Sequence, residues 1–315
     1  MKKVIRNLSI LIILFCLISL GGGTYFINYA LIPTIAQQNK DENPLQSIRK
    51  DYPFMNSWLD SLNQVDAIRD TFITNPQGLR YHAIYVPATV KTDKTAFIIH
   101  GYTDCAYRMM MIGYLYHHDL GYNLFLPDLH FHGQSEGNAI QMGWMDRLDA
   151  LSWMNVANQV FGGQTQMVVH GISMGAATTM MLSGENTPDY THCFVEDCGY
   201  TSVWDEFKYK LNESFNIPTF PLLNATNIVC HMRYGWGFKE ASALKQVKKC
   251  EKPMFFIHGA KDKYVPTWMV KSLYAAKPEP KELWIAPNSK HALSYHDHHD
   301  EYTAKVKAFV TKYIH

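Results

Sequence analysis

Gly171-Ile172-Ser173-Met174-Gly175 sets a serine between two glycines, with the apolar run Met167 to Val169 before it and Ala176 and Ala177 behind. A serine hydroxyl is a weak nucleophile unless the backbone presents it and a base takes its proton. A Gly-x-Ser-x-Gly turn between a buried strand and a small-residue helix presents it. The chain is forced into a strained geometry, and the side chain stands above the sheet edge at a helix N-terminus, as a nucleophile elbow. The same pentapeptide also reads as an ordinary βα turn with a capping serine. The buried-strand run in front and the small residues behind, which let a helix lie close on a sheet, favour the elbow.

Ser173 then needs a histidine, and the histidine an orienting carboxylate. On a sheet that carries such an elbow the order along the chain is Ser, then Asp or Glu, then His, which excludes Asp128 and leaves two acids near strand ends. Asp262 follows Met254-Phe255-Phe256-Ile257-His258-Gly259-Ala260-Lys261, a strand delivering a glycine-containing loop to the carboxyl edge. Asp197 follows Phe194-Val195-Glu196 and runs straight into an aromatic-rich segment, so Asp262 is the preferred acid and Asp197 its alternative. His291, in Pro287-Asn288-Ser289-Lys290-His291-Ala292, follows the last expected strand and is the expected base. The oxyanion of an acyl-transfer step needs preorganised donors. One is the Met174 amide, where the helix N-terminus also favours negative charge. The other is the Tyr102 amide in His100-Gly101-Tyr102-Thr103-Asp104.

His296, His298 and His299 crowd one short stretch beside Asp297, but such bunching before a helix is commoner as solvated or capping residues than as a metal set. His130 and His132 read as structural, and no His-Glu-x-x-His or Cys-x-x-Cys occurs. The expected chemistry uses neither cofactor nor metal.

Positioning these residues requires alternating strands and helices. Thr71–Thr74 and Leu79–Val86 flank Asn75-Pro76-Gln77-Gly78 as a hairpin. Strands follow at Thr95–His100, Asn123–Pro127, around Met167, at Cys193–Glu196, Met254–His258 and Leu283–Ala286. Helices are expected at Tyr107–His118, Gly143–Phe161, after Ser173, at Thr267–Ala276 and at Tyr302–Tyr313. Within Gly143–Phe161 the residues Trp144, Leu148, Leu151 and Asn155 share one face, read as the buried one. The fold class is α/β: a mostly parallel sheet with helices on both faces. Residues 201–247 break the rhythm with Trp204, Phe207, Tyr209, Phe215, Phe220, Tyr234, Trp236 and Phe238, and read as a small helical cap over the site. Residues 37–61, punctuated by Pro44 and Pro53, read as a loop-like linker, and 62–315 as the catalytic domain with its cap.

The first 36 residues differ in kind. Lys2, Lys3 and Arg6 precede an uncharged stretch whose apolar part, Leu8 to Ile32, would span ~37 Å as a helix. The basic residues predict a cytoplasmic N-terminus with the rest exported, so the segment is read as an uncleaved membrane anchor. The alternatives are a signal segment cut after Gly23 or Ala36, and a buried apolar helix. The balance of 29 Lys and Arg against 28 Asp and Glu, without a basic run, excludes a nucleic-acid role, and 47% apolar residues suffice for a large core. Cys193 and Cys198 are an odd step apart, which disfavours a bridge between them; Cys230 and Cys250 are free to pair on spacing alone.

Taken together, His100-Gly101-Tyr102, Asp128-Leu129-His130-Phe131-His132-Gly133-Gln134-Ser135-Glu136-Gly137, the Ser173 pentapeptide, His258-Gly259-Ala260-Lys261-Asp262 and His291 resemble the α/β-hydrolase superfamily in kind and order. Glu196-Asp197-Cys198, Lys261 to Pro266 and Lys290 to Tyr295 are similar more narrowly to bacterial, N-terminally anchored hydrolases of poorly defined substrate. The resemblance implies Ser173 as nucleophile, Asp262 as acid, His291 as base and the Tyr102 and Met174 amides as oxyanion donors. Many relatives have an arginine where this chain has His130. The implied activity is carboxylic ester hydrolysis through an acyl-enzyme on a small-molecule ester, with peptidase, thioesterase or amidase action, or a non-catalytic binding role, as alternatives.

Overall fold

The computed structural model describes residues 1–33 and 43–315; the cleavage point after Ala36 and residues 37–42 of the expected linker lie outside them. Eight strands form one sheet: β1 (Arg69–Thr74), β2 (Arg80–Val86), β3 (Lys94–Ile99), β4 (Asn123–Pro127), β5 (Gln166–Ile172), β6 (Thr191–Asp197), β7 (Met254–Gly259) and β8 (Lys281–Ala286). Their order is β1-β2-β4-β3-β5-β6-β7-β8. β2 is antiparallel to β1 and β4, and every other pairing is parallel. The β1–β2 turn is the expected hairpin, closed by the Asn75 carboxamide oxygen accepting from the amides of Gln77 and Leu79.

The central strands are apolar on both faces, as a sheet sandwiched by helices demands. On β3, Phe97 and Ile99 enter one core while Ala96 and Ile98 enter the other; on β7, Met254 and Phe256 oppose Phe255 and Ile257. The first core is closed by α5 (Asp146–Val160), α6 (Met174–Ser183) and α10 (Trp268–Ala276), and the second by α2 (Pro44–Asp51), α3 (Asn56–Gln64), α4 (Met110–Tyr114) and α12 (His299–Val310). Between β6 and β7 lie α7 (Val203–Phe215), α8 (Leu222–Tyr234) and α9 (Ala243–Val247), and the short α11 (Ser294–Asp297) precedes α12.

Two expectations are corrected. Residues 44–62 are not a loop: Asn43 caps α2 by accepting from the Gln46 amide, and Ile48, Tyr52, Met55, Leu59 and Leu62 are all buried against the sheet. Those positions advance by alternate steps of four and three, the spacing of one helical face. In α5 the buried face is Ala150, Trp153, Met154 and Ala157, whereas Leu148 is 40% exposed. The alanines let the helix axis approach the sheet, and Trp153 reaches Phe125 of β4, ring to ring.

The first helix, α1 (Lys2–Leu31), is long and apolar enough by length and composition to cross a membrane. Its first two-thirds are exposed, but Gly23, Phe26, Ile27, Ala30 and Leu31 form a buried stripe against α7 and α8. All six cysteines are unpaired thiols, and Cys230 and Cys250 are buried without a bridge.

Candidate active site

The expected nucleophile, acid, base and oxyanion donors sit beyond the carboxyl ends of β5, β7, β8 and β3, next to the point between β3 and β5 where neighbouring connections depart to opposite sides. β5 ends at Ile172, and Ser173 takes φ 57° and ψ −117°, a strained conformation for a residue with a side chain. Surrounding packing holds it there. The Ser173 amide donates to the Asp197 carbonyl at 2.8 Å, and α6 begins at the next residue. A Cβ on Gly175 would run into the carbonyl oxygens of Ile99 and His100, and one on Gly171 into the Gly175 carbonyl, so neither glycine can be replaced without opening the elbow.

The Ser173 hydroxyl lies 2.8 Å from His291 Nε2, and His291 Nδ1 lies 2.7 Å from Asp262 Oδ2. An Nδ1–H donated to the carboxylate leaves the Nε2 lone pair for the hydroxyl proton. The second Asp262 oxygen accepts from the amides of Tyr264 and Val265 at 2.8 and 2.9 Å. Burial alone would raise the Asp262 pKa, but the close contacts of its carboxylate with His258 and His291 hold it well below the usual carboxylate range. His258 is fixed in turn by donating from Nε2 to the Val265 carbonyl. Tyr264 lies over the His291 ring at 4.8 Å between centroids.

Asp197 stands differently. It is buried, its pKa is pushed up to about 6 by that burial, and its side chain meets the Ser294 hydroxyl at 3.4 Å. Its carbonyl, through Ser173, is what it gives to the elbow. His296, His298 and His299 are held apart by separate partners: Asp297, the Pro287 carbonyl and Asp300.

Gly101 packs against the serine, its ideal Cβ position 3.5 Å from Ser173 Cβ, so the Tyr102 loop borders the Ser173 side chain. Two histidines, His100 and His132, shape this loop. His100 donates from Nδ1 to the Gly101 carbonyl and accepts the Leu129 amide at Nε2. His132 donates from Nδ1 to the His130 carbonyl and accepts the Thr103 amide at Nε2, a neutral tautomer consistent with burial driving its pKa down to about 3. Thr103 is thereby held at φ 54° beside Tyr102. His130, at the position where relatives carry arginine, bonds the Tyr81 hydroxyl at 2.6 Å.

A cavity of about 610 Å³ opens onto Ser173 and His291, walled by Tyr102, Tyr264 and, from the α2 segment, Asp51 and Tyr52. The last two were missed because their segment was read as a linker. The apolar stripe running from Ile48 to Leu62 is the signal that would have found them. A second cavity of about 50 Å³ lies between Ser173 and the cap residues Glu206 and Phe207.

An eight-stranded, mostly parallel sheet flanked by helices, with an elbow serine over its carboxyl edge, is the α/β-hydrolase fold, and the chain is a serine hydrolase. Residues 129–315, well over half of the chain, match the prolyl oligopeptidase family, and the chain belongs to that family. It is 30% identical over 226 residues to the uncharacterized protein YqkD of Bacillus subtilis, covering 72% of this chain and 74% of that one. It is 22% identical over 179 residues to an uncharacterized membrane protein of Saccharomyces cerevisiae, covering 56% and 57%. Among solved structures the esterase Pf2001 of Pyrococcus furiosus superposes with a TM-score of 0.62 at 20% identity, covering 78% of this chain and 92% of that one.

Proposed function

We propose that the chain hydrolyses carboxylic esters with Ser173 as nucleophile, His291 as general base and then acid, and Asp262 as the group that orients the imidazole. The observation that carries this is the continuous path from Asp262 Oδ2 through His291 to Ser173 Oγ, at 2.7 and 2.8 Å. His291 takes the hydroxyl proton as Oγ attacks the carbonyl, and the Tyr102 and Met174 amides receive the oxyanion. The proton passes to the departing alkoxide, leaving an acyl-serine and an alcohol. A water, deprotonated by His291, then releases the acid and regenerates the serine.

An ester fits better than a peptide. In the cavity wall Arg108 is paired with Asp104 at 3.3 Å, so its charge is balanced within the wall and is not devoted to a peptide terminus. The neighbour Pf2001 is named an esterase. The family match is what favours peptidase action as the second reading. We further propose that α1 is an uncleaved anchor with the catalytic domain outside the cytoplasm. Removing the docked stripe Phe26 to Leu31 would strip apolar cover from α7 and α8, which favours retention.

The test is a panel of esters graded in acyl length, thioesters and peptides, run on the full chain in detergent alongside fluorophosphonate labelling. Ester turnover with labelling at Ser173 is expected. Faster peptide turnover would overturn the ester assignment, and absence of labelling in folded protein would overturn the mechanism.

A further inference from the structure

We infer that the loop joining α7 to α8, residues 216–221, inserts into the outer leaflet beside α1, with Phe220 at its tip. This rests on the reading of α1 as a membrane span, and it follows from where the loop meets that helix.

α8 runs alongside α1 in the same direction. A Cβ on Gly22 would touch Leu222, one on Gly23 would press on Ala225 and Thr226 at 2.8 Å, and further up Arg233 donates to the Asn28 side chain. Below Leu222 the loop turns down along α1, and the Phe220 ring meets the Phe15 ring at 6.4 Å between centroids. Phe15 lies seven residues below Gly22, or ~10 Å along a helix.

The depth of Phe15 follows from the basic residues. If Lys2 and Lys3 mark the inner headgroups and Arg6 snorkels towards them, ~30 Å of hydrocarbon at ~1.5 Å per residue runs from Val4 to Gly23. Phe15 then sits ~12 Å inside the outer boundary. Starting the hydrocarbon after Arg6 only moves that boundary up the helix and places Phe15 deeper. A ring packed beside Phe15 is therefore within the acyl chains, and the composition agrees: Asn216-Ile217-Pro218-Thr219-Phe220-Pro221 has no charge, with Ile217 37% and Phe220 67% exposed. The same seating sets the height of the site. The Tyr102 hydroxyl donates to the Ala30 carbonyl at 2.8 Å, and Ala30 lies seven residues, ~10 Å, above Gly23, so the cavity mouth is next to the headgroup layer.

The experiment uses the full chain in phosphatidylcholine–phosphatidylglycerol nanodiscs, with Cys105→Ser throughout, and reads an environment-sensitive fluorophore on one cysteine at a time. Three sites are compared: native Cys16 in the exposed part of α1, Phe220→Cys with Cys16→Ala, and Val90→Cys with Cys16→Ala at the opposite edge of the sheet. The expected result is that the labels at 16 and 220 shift to the blue, lose most of their emission to lipids brominated on the acyl chains and resist aqueous iodide, while the label at 90 does the reverse. Quenching by bromolipid at 16 but not at 220 overturns the inference with the anchor intact. Exposure to iodide at both overturns it together with the anchor. Fluorophosphonate labelling of the Phe220→Cys sample shows separately that the domain is folded.

Discussion

Two buried aspartates each hold a histidine at the carboxyl edge of this sheet, and they use it differently. Asp128, just beyond β4, receives His82 Nδ1 at 2.6 Å, and the far nitrogen of that ring meets a second carboxylate, Asp70, at 2.7 Å. Asp262, beyond β7, receives His291 Nδ1 at 2.7 Å, and the far nitrogen there meets the Ser173 hydroxyl. Between two carboxylates both ring nitrogens of His82 donate. Burial works against its charge, but the bonds and charges of Asp128 and Asp70 outweigh it, and the pKa is raised. Such an imidazolium has no lone pair to offer a nucleophile. It instead ties β2 to β1 and to the loop whose Gln134 amide also binds Asp128. The same dyad is thus a clamp at Asp128 and, in the proposed mechanism, a relay at Asp262, according to the group on the far nitrogen.

The largest effects are expected at the relay. Ser173→Ala should abolish fluorophosphonate labelling and cut ester turnover by at least about 10⁴-fold, with an unchanged melting profile. Asp262→Asn should cost about 10³ to 10⁴-fold in kcat, because an amide presents the wrong partner to Nδ1 and stabilises no imidazolium. Asp197→Asn should cost far less, since its contact with the elbow is a main-chain carbonyl. If Asp197→Asn proved the more damaging, the assignment of Asp262 as the orienting acid would be lost.

At the clamp the expected damage is to stability. His82→Gln leaves Asp128, 2% exposed, facing a neutral amide, and losing one partner of a buried ion pair typically costs about 3 to 5 kcal/mol. Because Asp128 also accepts the Ala106 and Gln134 amides, the loss should fall towards the lower end. The folded fraction should keep its kcat within a few-fold of wild type. Urea unfolding measured beside active-site-normalised turnover separates the two, and a loss of kcat per labelled serine would mean that the clamp also positions the catalytic loop.

This contrast also marks what the sequence makes legible. The relay residues stand at ends of apolar runs, Gln166–Ile172 and Met254–Gly259, or just past Leu283–Ala286, and a strand end on a parallel sheet is a place that periodicity alone identifies. The clamp was invisible, because His82 lies mid-strand between apolar neighbours and its partners arrive from strands paired across the sheet. Likewise the apolar length of α1 is plain in the sequence, but that its last third docks on the cap depends on Gly23 meeting Ala225 and Thr226, some two hundred residues away. The helices over 44–62 had a readable stripe, masked by two prolines that in fact sit at helix starts, where a missing amide costs nothing.

The smallest expected effect distinguishes the two histidines by pH. The folded pKa of His82 is raised above the unfolded value of about 6.5, so its contribution to stability is complete below about pH 6.5 and is lost as pH rises through the folded value. In that window the unfolded chain has released a proton that the folded chain keeps, so stability falls by up to about 1.4 kcal/mol per pH unit. Asp128 has the opposite sign. Burial would raise its pKa, but the hydrogen bond and charge of His82 lower it, so its contribution holds above the ordinary carboxylate range and fades in acid. Wild-type stability also falls with pH for another reason. Burial pushes Asp146 up to about 7 and Glu206 up to about 8, so each resists ionising in the folded state. These acids titrate alike in wild type and in His82→Gln, so they cancel in the difference between the two urea-unfolding series at pH 6, 7, 8 and 9, which reports the His82–Asp128 pair. The stability gap should be widest at pH 6 and shrink towards pH 9. A gap constant with pH would mean that His82 is neutral in the folded protein and that the two dyads differ in position but not in charge.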